Sequence, residues 1–272
     1  MRVFVAGATG VLGRALVLRL AEGRHAVRAI APGPPCAFAR PRVESVDADL
    51  LVDDLFELVR GCDAVVNVVS AAPSPDVLTA GTRRLLEATL ACGVPRYVQE
   101  SFTAAYRDGG ERWLDEDAPF DGSAGRSDVC RRVVEMETAI RQVDSRTLAW
   151  TILRGGSFVG PDTQQDALID HLRARGAVVA GDGSNYLSLL NVADMGSAVA
   201  TALERAPAGS TFNAVDEPIR YADYVDALAD LIGVERPPRL AERPLPESRR
   251  CANAAARIVL GWIPRHSIWP SP

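Results

Sequence analysis

Three glycines stand directly behind the first apolar run of the chain, in Gly7-Ala8-Thr9-Gly10-Val11-Leu12-Gly13. At this spacing Gly7 suits a tight turn, Gly10 lets a pyrophosphate approach the backbone, and Gly13 lets the following helix pack close on a sheet. The helix N-terminus then offers free N–H groups to the anion. Thr9, Val11, Leu12 and Arg14 fall within the same dinucleotide-binding turn. A nicotinamide dinucleotide held there supplies a hydride but no proton, so a second set of residues must handle the proton.

The turn needs a strand before it and a helix after it, and the pattern provides both. Apolar strand-like runs at Arg2–Ala6, His25–Ala31, Val43–Val46 and Ala64–Ser70 alternate with helical stretches at Gly10–Glu22 and Val52–Arg60. A helix over Asp76–Cys92, a strand at Arg96–Glu100, a helix near Ser127–Gln142 and a strand at Leu148–Leu153 continue the series. Repeated βαβ units imply an α/β fold, a doubly wound parallel sheet of the Rossmann kind. The expected division is a dinucleotide-binding domain over 1–155, with helix 193–205 packing back on it. A small C-terminal substrate lobe would comprise 156–192 and 206–272. Beyond Gly155 the pattern gives Val178–Ala180, helix Ala193–Glu204, strand Ser210–Ala214, helix Tyr221–Leu231 and a short helix around Ala252–Val259. The proline-rich Ala31–Pro41 and the polar Ala104–Arg126 read as irregular segments.

Composition narrows the function classes. The 272 residues carry a net charge of −5, with basic residues scattered among acidic ones, which argues against a nucleic-acid surface. No apolar run is long enough to span a bilayer and none follows Met1 as a signal segment, so a soluble, cytoplasmic protein is expected. Cys36, Cys62, Cys92, Cys130 and Cys251 are odd in number without C-x-x-C spacing, and His25, His171 and His266 are isolated. Neither a disulfide framework nor a metal site is expected. Asp115-Glu116-Asp117 reads as a solvated loop, and Trp113, Phe120, Phe158 and Trp262 as an aromatic pocket or as packing of the smaller lobe. Oligomeric state stays open, since Val129, Val133 and Val134 suit either a partner or the sheet.

Several segments together resemble the short-chain dehydrogenase/reductase superfamily, in its extended and atypical, epimerase/dehydratase-like branch. Beside the glycines, these are Asp47-Ala48-Asp49-Leu50, the run Asp63–Ala72, Thr151–Gly156, Asn191-Val192-Ala193-Asp194 and Leu260-Gly261-Trp262-Ile263-Pro264-Arg265. The resemblance implies adenine contacts from Asp49 and Leu50, ribose contacts from Ser70, Ala71 and Ala72, and a substrate-side exit at Gly155, Gly156 and Phe158. It also implies a catalytic Ser/Thr, Tyr and Lys, and here the chain departs from the pattern. With Glu135 matched to the glutamate ending the Tyr-x-x-x-Lys-x-x-x-Glu helix, the tyrosine position holds Ser127 and the lysine position Arg131. Phe102 occupies the Ser/Thr position, flanked by Ser101 and Thr103, with Tyr106 following.

An alkyl hydroxyl is far less acidic than a phenol, and an arginine holds its proton near neutral pH. Ser101, Thr103, Tyr106 and Ser127 are the catalytic candidates, while Ser101 is also a candidate cofactor contact and Arg131 a candidate ribose contact. The acid that would select NAD belongs near Ala31 and Pro32, where no acceptor stands. NADP(H) is favoured, its 2′-phosphate to be met by Arg14 with Arg40 or Arg42, Arg28 being less suited inside a strand.

The expected activity is NADPH-dependent reduction of a bulky, self-activated ketone. A hydroxyaryl ketone of an aromatic polyketide such as an angucyclinone is the example, its own hydroxyl polarising the carbonyl. Positioning alone is worth about 7–11 kcal/mol for well-aligned reactants. A non-catalytic NADP-binding sensor and a sugar-nucleotide epimerase or dehydratase are the alternatives.

Overall fold

The computed structural model describes residues 1–33, 38, 40–71 and 74–270. Seven strands form the central sheet: β1 (Arg2–Ala6), β2 (Ala26–Ala31), β3 (Val43–Asp47), β4 (Ala64–Asn67), β5 (Arg96–Phe102), β6 (Ala149–Gly155) and β7 (Ser210–Ala214). Their spatial order is β7-β6-β5-β4-β1-β2-β3, and every neighbouring pair is parallel. Because a parallel sheet is covered on both faces, its strands read as nearly continuous apolar runs.

The strand period of two divides β1 between two cores. Val3 and Val5 face α1 (Val11–Glu22) and α6 (Val192–Arg205). Phe4 and Ala6 face α2 (Leu55–Val59), α3 (Thr82–Ala91, entered by a wide π-type turn over Val77–Gly81) and α4 (Asp128–Arg141). The chain order reverses between β1 and β4, and the crevice outside their carboxyl ends is where such sheets bind ligands.

A third core joins α5 (Gln164–Arg173) and α7 (Tyr221–Leu231) through Ile169, Leu172, Tyr224, Val225 and Leu228. This smaller lobe is tied to the sheet by a parallel pair, Ser157–Val159 with Leu189–Asn191. The tail is fixed by hydrogen bonds, with Trp262 Nε1 donating to Ser197 Oγ at 2.9 Å. Asp194 accepts the N–H groups of Arg265 (2.9 Å) and His266 (2.8 Å), and its other carboxylate oxygen lies 2.7 Å from His266 Nδ1.

The structure departs from the sequence pattern at four places. Ser210–Ala214, assigned to the small lobe, pairs with β6 and closes the edge of the main sheet. Gln164–Arg173 is a helix that the sequence pattern passed over, started by Thr163, whose hydroxyl accepts from Gln165 N–H. α2 is shorter than Val52–Arg60 because Asp54 caps it, accepting from Phe56 N–H at 3.0 Å. Glu116 does not belong to a solvated loop, because its Oε1 accepts from Asn213 N–H at 2.7 Å and burial pushes its carboxyl up from the usual range.

Candidate active site

The glycine turn has the geometry its spacing promises. Gly7 adopts φ +83°, and a Cβ there would lie 2.6 Å from the Val68 carbonyl oxygen. A Cβ on Gly13 would stand 2.0 Å from the Gly7 carbonyl oxygen, so only glycine lets α1 seat on the turn. At the N-terminus of α1, Gly10 gives no side-chain cap and the first turn holds no acidic residue. The helix dipole and the free N–H groups of Val11, Leu12 and Gly13 therefore face outward, as an anion site requires.

From this turn a cavity of about 550 Å³ runs across the carboxyl ends of the strands. Gly10, Val11 and Leu12 form one end, and Val68 and Ser70 after β4 form the floor. Glu100, Phe102 and Thr103 from the end of β5 and Gly155, Gly156 and Phe158 after β6 form the far wall. Asp162 lies at the mouth, its carboxylate 3.2 Å from Arg14 Nη2, while Arg14 Nη1 donates to the Thr9 carbonyl at 2.8 Å. An elongated cleft with an anion site at one end and an apolar wall at the other fits a nicotinamide dinucleotide. The residues that would hold it are the α1 N-terminus, Ser70, Gly155 and Gly156.

Of the four catalytic candidates, the structure brings Thr103 alone to this cavity, its hydroxyl donating to the Gly155 carbonyl at 3.1 Å. Ser101 lies on the opposite face of β5 and donates to Glu137 Oε1 at 2.6 Å. Tyr106 is fully buried, donating to Asn213 Oδ1 (2.8 Å) and accepting from Arg154 Nη1 (2.7 Å). Burial holds its phenol above the usual range. Ser127 is exposed and caps α4, accepting from Cys130 N–H at 3.2 Å.

Arg131, expected at the ribose, instead donates to Asp128 Oδ1 (2.8 Å) and to the carbonyls of Arg126 and Ala124. Ser127→Ala is expected to cost about 1 kcal/mol of stability as a lost cap, with kcat at the wild-type level. Denaturant unfolding and steady-state rates check both, and a collapse of kcat in a folded variant would restore Ser127 as a catalytic group.

What fills the space behind β5 is a buried ion pair. Arg154 donates to Glu137 from Nε (3.0 Å) and Nη2 (2.7 Å), and its guanidinium lies 4.1 Å from the ring centre of Phe120. Burial works against the Arg154 charge, but the bonds to Glu137 and Tyr106 prevail and hold its pKa above the ordinary value. The chain contains no lysine at any position, so no residue can play the lysine of the short-chain pattern.

The remaining expected contacts divide. Asp49 accepts from Leu51 N–H at 2.8 Å, and Leu50 is buried with its carbonyl taken by Arg84, both at the carboxyl side of β3. Arg40 lies just before β3, its carbonyl accepting from Val43 N–H, and Arg42 donates to the Arg24 carbonyl at 2.9 Å. These two arginines sit at the amino end of the sheet, opposite the glycine turn, because they directly precede β3, which runs parallel to β2. Arg28 is occupied by Glu44 at 2.9 Å. Arg14 is thus the expected cation that reaches the turn. Ala71 borders Ser70, whereas Ala72 lies outside the described residues.

Of the four aromatic residues, Phe158 lines the cavity and Phe120 packs edge-on to Tyr106. Trp113 lies under Arg250, and Trp262 anchors the tail. Among the described residues no cluster of His, Cys, Asp and Glu is placed to hold a metal, and no helix is long and apolar enough to cross a membrane.

Glu100 is the residue that the sequence reading missed. Its signal was there: a carboxylate near the carboxyl end of an apolar strand in a sheet covered on both faces. Its side chain is 4% exposed and has no hydrogen-bond or ionic partner among the described residues, and burial pushes its pKa well above 4.5.

Residues 7–205 match the model of a family described as NAD(P)H-binding. A protein of Streptomyces sp. named 3-diazoavenalumate denitrifying reductase is 33% identical, with 99% of this chain and 98% of that protein covered. Among solved structures, dTDP-glucose 4,6-dehydratase of Streptomyces venezuelae with NAD and TYD bound superposes with a TM-score of 0.84 at 21% identity. That match covers 98% of this chain and 93% of the other. UDP-glucuronic acid 4-epimerase of Bacillus cereus, in complex with UDP-glucuronic acid and NAD, gives 0.83 at 20% identity, covering 98% and 95%. At such identities the two structures speak for the fold alone. The family match and the full-length relative, set beside the glycine turn and its cleft, show that the chain belongs to the NAD(P)H-binding family, built on a Rossmann fold, and is an oxidoreductase.

Proposed function

We propose that the protein is an NADPH-dependent reductase that delivers hydride to an aromatic substrate whose electrophilic group is activated by the substrate itself. A diazo-substituted arene is the first candidate. The observation that carries this reading is a cofactor cleft with no tyrosine or lysine among the described residues of its walls. A ketone of ordinary reactivity needs such a pair, whereas a diazo group leaves as dinitrogen and drives its own departure. The 33% identical relative, named for removing nitrogen from a diazo compound, supports this choice.

A bound nicotinamide supplies the hydride. The protein's part is to hold the partners: the α1 N-terminus takes the pyrophosphate, Gly155 and Gly156 allow close approach, and Leu12, Phe102 and Phe158 exclude water and flank a flat ring. NADPH is preferred because Ala31 and Pro32 present no acceptor to ribose hydroxyls and Arg14 stands at the turn. A hydroxyaryl ketone of the angucyclinone type is the second reading, favoured by the same pair of phenylalanines, its own hydroxyl serving as activator.

The test follows NADPH absorbance with 3-diazoavenalumate, a hydroxyaryl ketone and the methyl ether of that ketone. Consumption with the diazo compound, accompanied by dinitrogen, is expected. Consumption confined to the hydroxyaryl ketone would replace the first reading by the second. Tight NADPH binding with no substrate consumed would favour a nucleotide sensor.

A further inference from the structure

We propose that Glu100, a buried carboxyl group lining the cavity, is the proton donor that quenches the anion left when the self-activated substrate has received its hydride. The inference rests on the reductase reading above for its substrate, and on the geometry of β5 for its residue.

Side chains alternate along β5, so Val98 and Glu100 face the α1/α6 layer while Gln99 and Ser101 face the opposite one. At the carboxyl end of the strand the α1/α6 layer gives way to the cavity, and Glu100 lines it beside Phe102 and Thr103. Glu100 is 4% exposed, and no donor or cation among the described residues meets its carboxyl. Every other buried carboxylate of the fold is matched: Glu137 by Arg154, Ser101 and Arg141, and Asp194 by His266 and two backbone N–H groups. An unmatched buried carboxylate costs far more than a neutral acid, so Glu100 keeps its proton where an ordinary glutamate would lose it.

The charged groups around it leave that state in place. From α6, which packs on this face of the strand, Met195, Ala198 and Val199 meet the sheet, and Asp194 is held by the tail. On β6, Arg154 points to the opposite layer, and Arg96 at the far end of β5 is directed to the carbonyls of Ala202 and Ala206. On β4, Asn67 bonds with Gln99 and Thr82 on that opposite layer. Asp162, the other ionisable lining residue, is exposed at the mouth and paired with Arg14.

A neutral substrate receives a hydride, with its two electrons, from the reduced nicotinamide and becomes an anion. In a diazo substrate the carbon–nitrogen bond breaks and dinitrogen leaves, and in a ketone the carbonyl π-bond breaks. The anion then takes the proton of Glu100, and the carboxylate regains a proton from water when the cavity opens. One hydride and one proton are consumed per turnover, matching NADPH plus a solvent proton.

Two experiments decide it, one of them needing no substrate. In protein carrying ¹³C at glutamate carboxyls, the resonance missing from Glu100→Gln should titrate well above the usual range of 4.5. With 3-diazoavenalumate, E100Q should lower kcat by on the order of 10²–10⁴-fold with KM unchanged. Because the protonated form is the active one, wild-type kcat should fall as pH rises through that same titration, and the residual rate of E100Q should not. Asp162→Asn should retain the wild-type profile shape.

A Glu100 resonance titrating in the ordinary range overturns the proposal, as does an E100Q variant with wild-type kcat. If the wild type reduces nothing in the panel, the reductase reading fails and the titration alone decides whether Glu100 is a proton-bearing group.

Discussion

Gly13→Ala is expected to weaken NADPH binding by about tenfold to 100-fold while leaving the protein folded. A Cβ at this position would stand 2.0 Å from the Gly7 carbonyl oxygen and 2.8 Å from two Ala8 backbone atoms. All three are main-chain atoms, so no rotamer change relieves the overlap, and α1 must move off the turn. Overpacking of this kind costs about 1–3 kcal/mol, and each 1.4 kcal/mol is tenfold in affinity. The strain falls where the helix N–H groups meet the pyrophosphate, so most of it should appear in the dissociation constant. Fluorescence titration of NADPH measures it, and a wild-type constant in G13A would mean that the dinucleotide binds elsewhere.

The second large effect lies behind the site. Arg154→Met is expected to destabilise the fold by about 3–5 kcal/mol, because it strands the Glu137 carboxylate in the interior. Arg154 and Glu137 are both almost fully buried, joined at 2.7 Å and 3.0 Å, and the same guanidinium bonds Tyr106 and the Glu116 carbonyl. The cost belongs to the unpaired partner. The double variant Arg154→Met with Glu137→Leu should therefore recover most of the loss, by the same argument that makes well-packed apolar replacements of buried pairs nearly neutral. Urea unfolding of the singles and the double decides it. Additive losses would show that the pair itself, rather than charge stranding, holds this layer.

The placement of this pair bears on what the sequence makes legible. The glycine turn, the βαβ alternation and the parallel sheet follow from local patterns, since spacing and period are properties of adjacent residues. β7 was legible as a strand but its home was not, because pairing with β6 joins Ser210 to Thr151 across the whole of α5 and α6. The same limit applies to Arg40 and Arg42, which read as loop cations near the nucleotide and prove to lie at the amino end of the sheet.

At the site, residue type misled where the pleat decided. Ser101 carries the hydroxyl that a search for short-chain chemistry looks for, but its neighbour Glu100 faces the cavity. A shift of one residue along a strand changes the face, and nothing local fixes which side opens to the cleft. Tyr106 was a plausible acid from its position after β5, but burial against Asn213 and Arg154 makes it part of the packing.

A cleft that holds reduced nicotinamide against a substrate should direct a single, stereochemically defined hydride to it. The most direct measurement uses 3-diazoavenalumate with NADPH carrying deuterium at either the R or the S position of C4, and reads the label left in the oxidised cofactor by mass spectrometry. Glu100, Phe102 and Gly155 line one wall of the cleft, and a nicotinamide bound in a single orientation there would give up only one of its two C4 hydrogens. Complete loss of deuterium from one labelled cofactor and full retention in the other are expected, with one cofactor oxidised per dinitrogen released. Equal loss from both, or dinitrogen release without cofactor oxidation, would contradict it.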